Sequence, residues 1–160
     1  YQFPEKLIPI VILKAISGEE IPIYGDGENI RDWLFVEDHV DALVLAATRG
    51  QPGRNYCIGG SNEKSNLQIV EEICKILDKR LNPSSSYSNL IKMVEDRPGH
   101  DRRYAIDSSL ITNELNWIPR HTFEESLEKT VDWYLKNLSW CKEMQRKSSY
   151  KGERLGLQEN

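Results

Sequence analysis

Apolar positions along the chain recur with two periods, near 3.6 and near 2, and the changes of period mark the elements. Residues 4–17 carry Leu7, Ile8, Ile10, Val11, Ile12 and Leu13, a run dense enough for a helix buried on most sides. Pro4 and Pro9 suit its entry or first turn, and Gly18 its end. Ile21–Tyr24 and Ile30–Phe35 are β-rich segments joined by Gly25-Asp26-Gly27, where positive φ costs glycine little. Residues 37–49 predict a second helix, Pro52-Gly53 a turn, and Asn55–Ile58 a short strand that stops at Gly59-Gly60.

Ser65 with Gln68 forms a capping-box pattern ahead of a stripe of Leu67, Val70, Ile73, Cys74 and Leu77. Asn82–Asn89 is a polar, serine-rich loop, and Ile91–Glu95 a further strand leading into the charged stretch 96–103. Asp107 can cap a short helix ending at Leu115. Thr122 with Glu125 caps a longer one carrying Phe123, Leu127, Val131, Tyr134 and Leu135. From residue 141 onward the chain is polar, so 141–160 reads as a peripheral tail and 1–140 as the region that carries any binding site. The order is helix, two strands, helix, strand, helix, strand, two helices, hence α/β. Gly25-Asp26-Gly27 and Gly59-Gly60 both lack GxGxxG spacing, so no dinucleotide-binding βαβ unit opens the chain.

Composition narrows the partners. A net charge of −4 disfavours general nucleic-acid or anionic-membrane binding, so an anionic ligand needs a local positive cluster. Cys57, Cys74 and Cys141 show neither a CxxC pair nor zinc spacing; an odd, sparse count suits a reducing, cytoplasmic compartment. No signal peptide and no apolar run of about 18 residues stands out.

The chemistry concentrates in Asp96-Arg97-Pro98-Gly99-His100-Asp101-Arg102-Arg103-Tyr104. A Pro-Gly turn there would splay Arg97, His100 and Arg102 or Arg103, forked donors suited to phosphate oxygens; a self-paired, solvated loop is the plainer alternative. Arg31 sits among apolar neighbours on a strand, aimed either at a ligand or at Asp32, Glu37 or Asp38. Lys6, near a helix start, is a third anion candidate. His39 and His121 suit capping or packing, and Glu37, Asp38 and Asp41 suit the start of the helix at 37–49. The chain shows no Ser-His-Asp grouping, metal cluster or YxxxK base.

Several segments resemble extended short-chain dehydrogenase/reductases, and among them the nucleotide-sugar 4,6-dehydratases. They are Gln2-Phe3-Pro4-Glu5-Lys6-Leu7-Ile8-Pro9, Tyr24-Gly25-Asp26-Gly27, Arg31 through His39, Tyr56 through Gly60, Asn62 through Asn66, and Asp96 through Tyr104. The similarity spans residues 2–137, and Tyr150–Leu157 resembles bacterial family tails. It implies the carboxyl-terminal, substrate-binding part of a Rossmann-type enzyme, with the NAD-binding βαβ units expected upstream of Tyr1.

The same resemblance implies roles. Glu5, Lys6, Leu7, Ile8, Pro9 and Ile10 would line the nucleotide site, with Pro22, Ile23 and Tyr24 as a second wall. Arg31, Asn66, Arg97 and His100 would hold diphosphate and ribose, with Tyr104 close by and Asp96 in the same substrate-binding set. Gly99-His100 favours members acting on dTDP-glucose over those acting on UDP-glucose. The implied reaction is oxidation at C4, loss of water across C5–C6 and hydride return at C6. The implied whole is a cytoplasmic homodimer in deoxysugar synthesis. No catalytic, cofactor-binding or metal residue of that family matches here, so the chain alone is expected to be catalytically incomplete, with NAD held by the other half. A nucleotide-binding remnant is the non-enzyme alternative. The other half is expected to cover strand edges and the apolar helix at 7–13.

Overall fold

Pro9 decides where the first helix begins. Were the helix to start at residue 4, Pro9 would fall past its first turn and clash with the carbonyl four residues back. In the computed structural model, which describes residues 3–147, helix α1 spans Leu7–Ser17 instead. Lys6 is extended (ψ 173°) and its carbonyl accepts the first helical bond from Ile10 N at 3.1 Å. Gly18 closes the helix in the left-handed region (φ +69°), with Glu19 N donating to Lys14 O at 2.9 Å.

The chain divides into two units. One takes residues up to Glu28, then Asn66–His100, then Glu128 onward; the other takes Asn29–Ser65 and Asp101–Leu127.

In the first unit, strand β1 (Ile21–Tyr24) pairs in parallel with the strand Ile91–Val94, Ile21 opposite Ile91 and Tyr24 opposite Val94. Ile21 and Ile23 face the core, while Pro22 and Tyr24 alternate outward. A long helix, Asn66–Leu81, buries Ile69, Val70, Ile73, Cys74 and Leu77 and packs on α1. That contact buries Val11, Ile12 and Ala15. Leu7, Ile8, Ile10 and Leu13 of the same helix stay half-buried. Gly27 (φ +74°) lets that contact form: a Cβ there would sit 2.9 Å from both Ile23 and Leu67 side chains. Arg80 ties the long helix to Asp132 and Glu128, each at 2.9 Å.

In the second unit, β2 (Ile30–Asp32) pairs antiparallel with β3 (Glu63–Ser65), not with β1, although one short turn joins β1 and β2. Helix α2 (Val36–Arg49) follows. The helix Asn66–Leu81 is then α3, the strand Ile91–Val94 is β4, and α4 spans Ser109–Leu115. The core joins Ala42 of α2 to Ile111, Leu115 and Trp117, with Leu45, Tyr56 and Ile58 against it. Asp107 accepts from Ser109 N at 2.9 Å and caps α4. Thr122 and Glu125 exchange capping bonds at 3.0–3.2 Å at the head of α5 (Phe123–Lys136).

Two expectations change. Asn55–Ile58 joins no sheet, because no strand lies beside it among the described residues. The boundary drawn at 140/141 falls inside helix α6 (Leu138–Lys147), where Cys141 is fully buried. The likeness to family tails at Tyr150–Leu157 lies outside the described residues.

Candidate functional site

β4 delivers the chain into the acidic and basic turn of the first unit. Asp96 anchors it: its Oδ1 accepts from Arg97 N at 2.8 Å and lies 2.6 Å from His100 Nδ1. Pro98 and Gly99 (φ +67°) then form a turn closed by His100 N donating to Arg97 O at 3.2 Å, the pattern of a type II turn. The turn brings two side chains onto one ring. Arg97 stacks over Tyr24 at 5.3 Å, and His100 meets the same ring edge-on at 6.3 Å. The His100 side chain is 4% exposed. Gly25 permits this closeness, since a Cβ there would lie 2.9 Å from Asp96 Oδ2.

The His100 hydrogen bond, chiefly, and then the Arg97 N–H and the nearby positive charge hold the Asp96 carboxyl below the usual carboxylate range. An ionised carboxylate only accepts, so the His100 Nδ1–H donates to Asp96 Oδ1. The cluster therefore offers an aromatic ring, a guanidinium and an imidazole beside one another, which suits a base next to phosphates.

The second unit builds a separate group around Arg31. Ile30 exchanges backbone bonds with the 102–104 segment: Ile30 N donates to Arg102 O at 2.8 Å and Tyr104 N to Ile30 O at 3.0 Å. That pairing sets Arg31 over the Tyr104 ring at 4.4 Å. Arg31 spends donors on Ile30 O (2.7 Å) and Asp101 O (3.0 Å), and Tyr104 OH donates to the Asp101 carboxylate. Among the described residues Arg31 forms no ion pair with Asp32, Glu37 or Asp38: Asp32 accepts from Gly60 N and Asn62 N, Glu37 lies 4.0 Å from His121, and Asp38 serves the 120–121 segment. Arg103 pairs bidentately with Glu63 at 2.7 and 2.8 Å, so that guanidinium is engaged within the protein.

The remaining candidates scatter by element. Lys6 precedes α1 and pairs with Glu5 at 3.0 Å. Leu7, Ile8 and Ile10 are half-buried on the first turns, while Pro9 is buried. Pro22 shares the outer side of β1 with Tyr24; Ile23, 1% exposed, belongs to the core. Asn66 is the first residue of α3, beside the Gly27 turn through Leu67 N donating to Gly27 O at 3.0 Å.

Sequence reading missed two groups. Asp101 collects Arg31, Tyr104 and the Asn29 amide (3.2 Å), and only its place inside the charged stretch hinted at that. Asp38, 1% exposed, accepts from Arg120 N (3.2 Å), His121 N (3.3 Å) and His121 Nδ1 (3.0 Å). Burial alone would raise the Asp38 pKa, but these bonds outweigh it and leave the carboxyl below its ordinary range. No local signal links residues 82 positions apart.

Among the described residues no three His, Cys, Asp or Glu side chains stand close enough to hold a metal. No described helix is long and apolar enough to cross a membrane. The described residues also do not fit NAD: β1 runs into the Gly25–Gly27 turn and on to β2, not into a helix whose N–H groups would take a pyrophosphate.

A sequence model of the GDP-mannose 4,6 dehydratase family matches residues 1–130. The dTDP-glucose 4,6-dehydratase of Escherichia coli is 52% identical over 99% of this chain and 45% of its own length. That of Salmonella typhimurium is 56% identical over 88% of this chain and 39% of its own. The crystal structure of the Bacillus anthracis dTDP-glucose 4,6-dehydratase in complex with NAD superposes with a TM-score of 0.80. It is 45% identical and covers 90% of this chain and 43% of that one. This chain thus spans less than half the length of these relatives, and its fold is that part of an extended short-chain dehydrogenase/reductase. With most of its residues matched by the family model, and relatives half identical to it along nearly their whole overlap, the chain belongs to the GDP-mannose 4,6-dehydratase family.

Proposed function

We propose that these residues are the nucleotide-sugar-binding portion of a dTDP-glucose 4,6-dehydratase. The observation that carries the reading is Arg97 and His100 on one Tyr24 ring, fixed by Asp96 and the Pro98-Gly99 turn. The base is proposed to lie beside Tyr24, where the Arg97 guanidinium offers charge-assisted bonds to a diphosphate, about 1.5–3 kcal/mol each, with the His100 imidazole next to it. Arg31 and Tyr104 in the second unit, and Asn66 at the head of α3, are proposed as further binding residues, and Glu5–Ile10 and Pro22 as lining.

The whole protein is proposed to convert dTDP-glucose to dTDP-4-keto-6-deoxyglucose with loss of water, as a cytoplasmic homodimer serving deoxysugar synthesis. Hydride chemistry falls to NAD held by residues outside this chain. What these residues supply is grip and orientation of the sugar nucleotide. The relatives' names favour dTDP over UDP; a UDP-glucose 4,6-dehydratase and a binding-only remnant are the alternatives.

Calorimetric titration with dTDP and UDP tests this. The expected result is preference for dTDP, with Arg97→Ala weakening it by at least about tenfold at unchanged helical content. Tighter binding of UDP, or an Arg97→Ala variant that binds dTDP as well as wild type, would overturn the reading.

A further inference from the structure

Among the described residues, one buried side-chain atom accepts from no donor of the protein: Asn29 Oδ1. The residue is 2% exposed, and its amide Nδ2 donates to Asp101 O at 3.2 Å. A buried carboxamide with half of its bonding unmet is less favourable than an apolar side chain of similar shape. Fold stability therefore does not explain why this position is polar.

What the amide holds is Asp101. That carbonyl has two lone pairs, and Arg31 Nη2 also donates to it, at 3.0 Å. The Asp101 carboxylate accepts from Tyr104 OH, and the Tyr104 ring lies against the Arg31 guanidinium, 4.4 Å from its centroid. Both contacts that Arg31 makes across the fold thus run through one residue. Backbone bonds fix the stretch just beyond it, Ile30 N to Arg102 O at 2.8 Å and Tyr104 N to Ile30 O at 3.0 Å. The Asn29 amide carries that hold back to Asp101. Arg31 spends two of its five N–H groups on Ile30 O and Asp101 O, which leaves others for an anion.

We propose that Asn29 is a positioning residue for Arg31. Its amide fixes Asp101, Asp101 fixes the guanidinium and the Tyr104 ring beside it, and Arg31 meets a diphosphate already oriented. Ordering a long, rotamer-rich side chain before the ligand arrives removes part of the entropy lost on binding. Asn29 is buried and touches no ligand in this scheme. The proposal rests on the nucleotide-binding reading of Arg31. It adds to that reading a position where stability and affinity respond differently to the same substitution.

The test titrates the protein with dTDP in a double-mutant cycle of Asn29→Leu and Arg31→Ala. Asn29→Leu removes the amide without stranding Asp101 O, which keeps Arg31 as a donor. Its midpoint in chemical denaturation should equal or exceed that of wild type. Its affinity for dTDP should nevertheless fall by about five- to tenfold. With Arg31→Ala already in place, the same substitution should change affinity by less than about twofold. Should the leucine variant not fold, Asn29→Ala must show the same dependence on Arg31. Unchanged affinity in Asn29→Leu would sink the proposal. So would an equal loss with and without Arg31, or a loss that merely follows a lowered midpoint. Arg97→Ala separates this inference from the reading beneath it: if that variant loses dTDP and Asn29→Leu does not, the nucleotide site stands and the role of Asn29 falls. A wild type that binds no dTDP overturns both.

Discussion

Helices α1 and α2 carry apolar residues in different ways, and their fates differ. α1 is apolar nearly all round, yet its large apolar side chains are buried or half-buried, because α3 presents a matching stripe of Ile69, Val70, Ile73 and Leu77 in the same unit. α2 is far more polar, with Glu37, Asp38, His39 and Asp41 in its first turns, yet it leaves Val36, Val40, Leu43 and Val44 in the open. Total apolar content therefore does not say which helix lacks a partner. The arrangement of apolar positions into one stripe or two does, since a helix with two stripes needs two neighbours.

The largest expected effect lies on the covered side of that contrast. Ile73→Ala, at a fully buried position of α3, should cost about 2–5 kcal/mol in chemical denaturation. A loss below about 1 kcal/mol would mean that the α1–α3 contact is not a packed core. An intermediate effect belongs to Asp38, the buried polar group of α2. Asp38→Ala should cost about 2 kcal/mol by stranding the Arg120 and His121 N–H groups. Because the folded Asp38 pKa lies below its unfolded value, its contribution is full above roughly pH 4 and vanishes as pH falls through the folded pKa. Wild type should lose that contribution on acidification, and the variant, lacking the carboxyl, should show a shallower acid limb. The smallest effect is on the open row. Val40→Ser, at a half-exposed position, should change stability of the isolated chain by less than about 0.5 kcal/mol. A cost near that of Ile73→Ala would show that the row is already covered.

Local signals were legible where neighbours in sequence are also partners in space. The Thr122–Glu125 box, the Asp107 cap, the Gly18 stop and the Pro98-Gly99 turn all act within a few residues, and each is found at its expected place. Strand existence was legible at Ile21–Tyr24 and Ile91–Val94, but their parallel pairing across some 70 residues was not. β3 went unread because Glu63-Lys64-Ser65 has no apolar alternation, and only its pairing with β2 makes it a strand. Asn55–Ile58 shows the reverse: the pattern is present and the ladder partner is not.

For the candidate site, the residue types of the 96–104 stretch announced a loop of charges, and the Pro-Gly turn announced its bend. The sequence by itself could not say that Arg97 and His100 reach the Tyr24 ring, nor that Arg103 is taken by Glu63 while Arg31 rests on Tyr104. Residue identity determined which groups carry charge, which turns are cheap and which helices are amphipathic, because those properties depend on the nearest few neighbours. Only the tertiary structure decided which charges are spent inside the protein and which apolar row stays open, because both depend on what distant parts of the chain bring alongside.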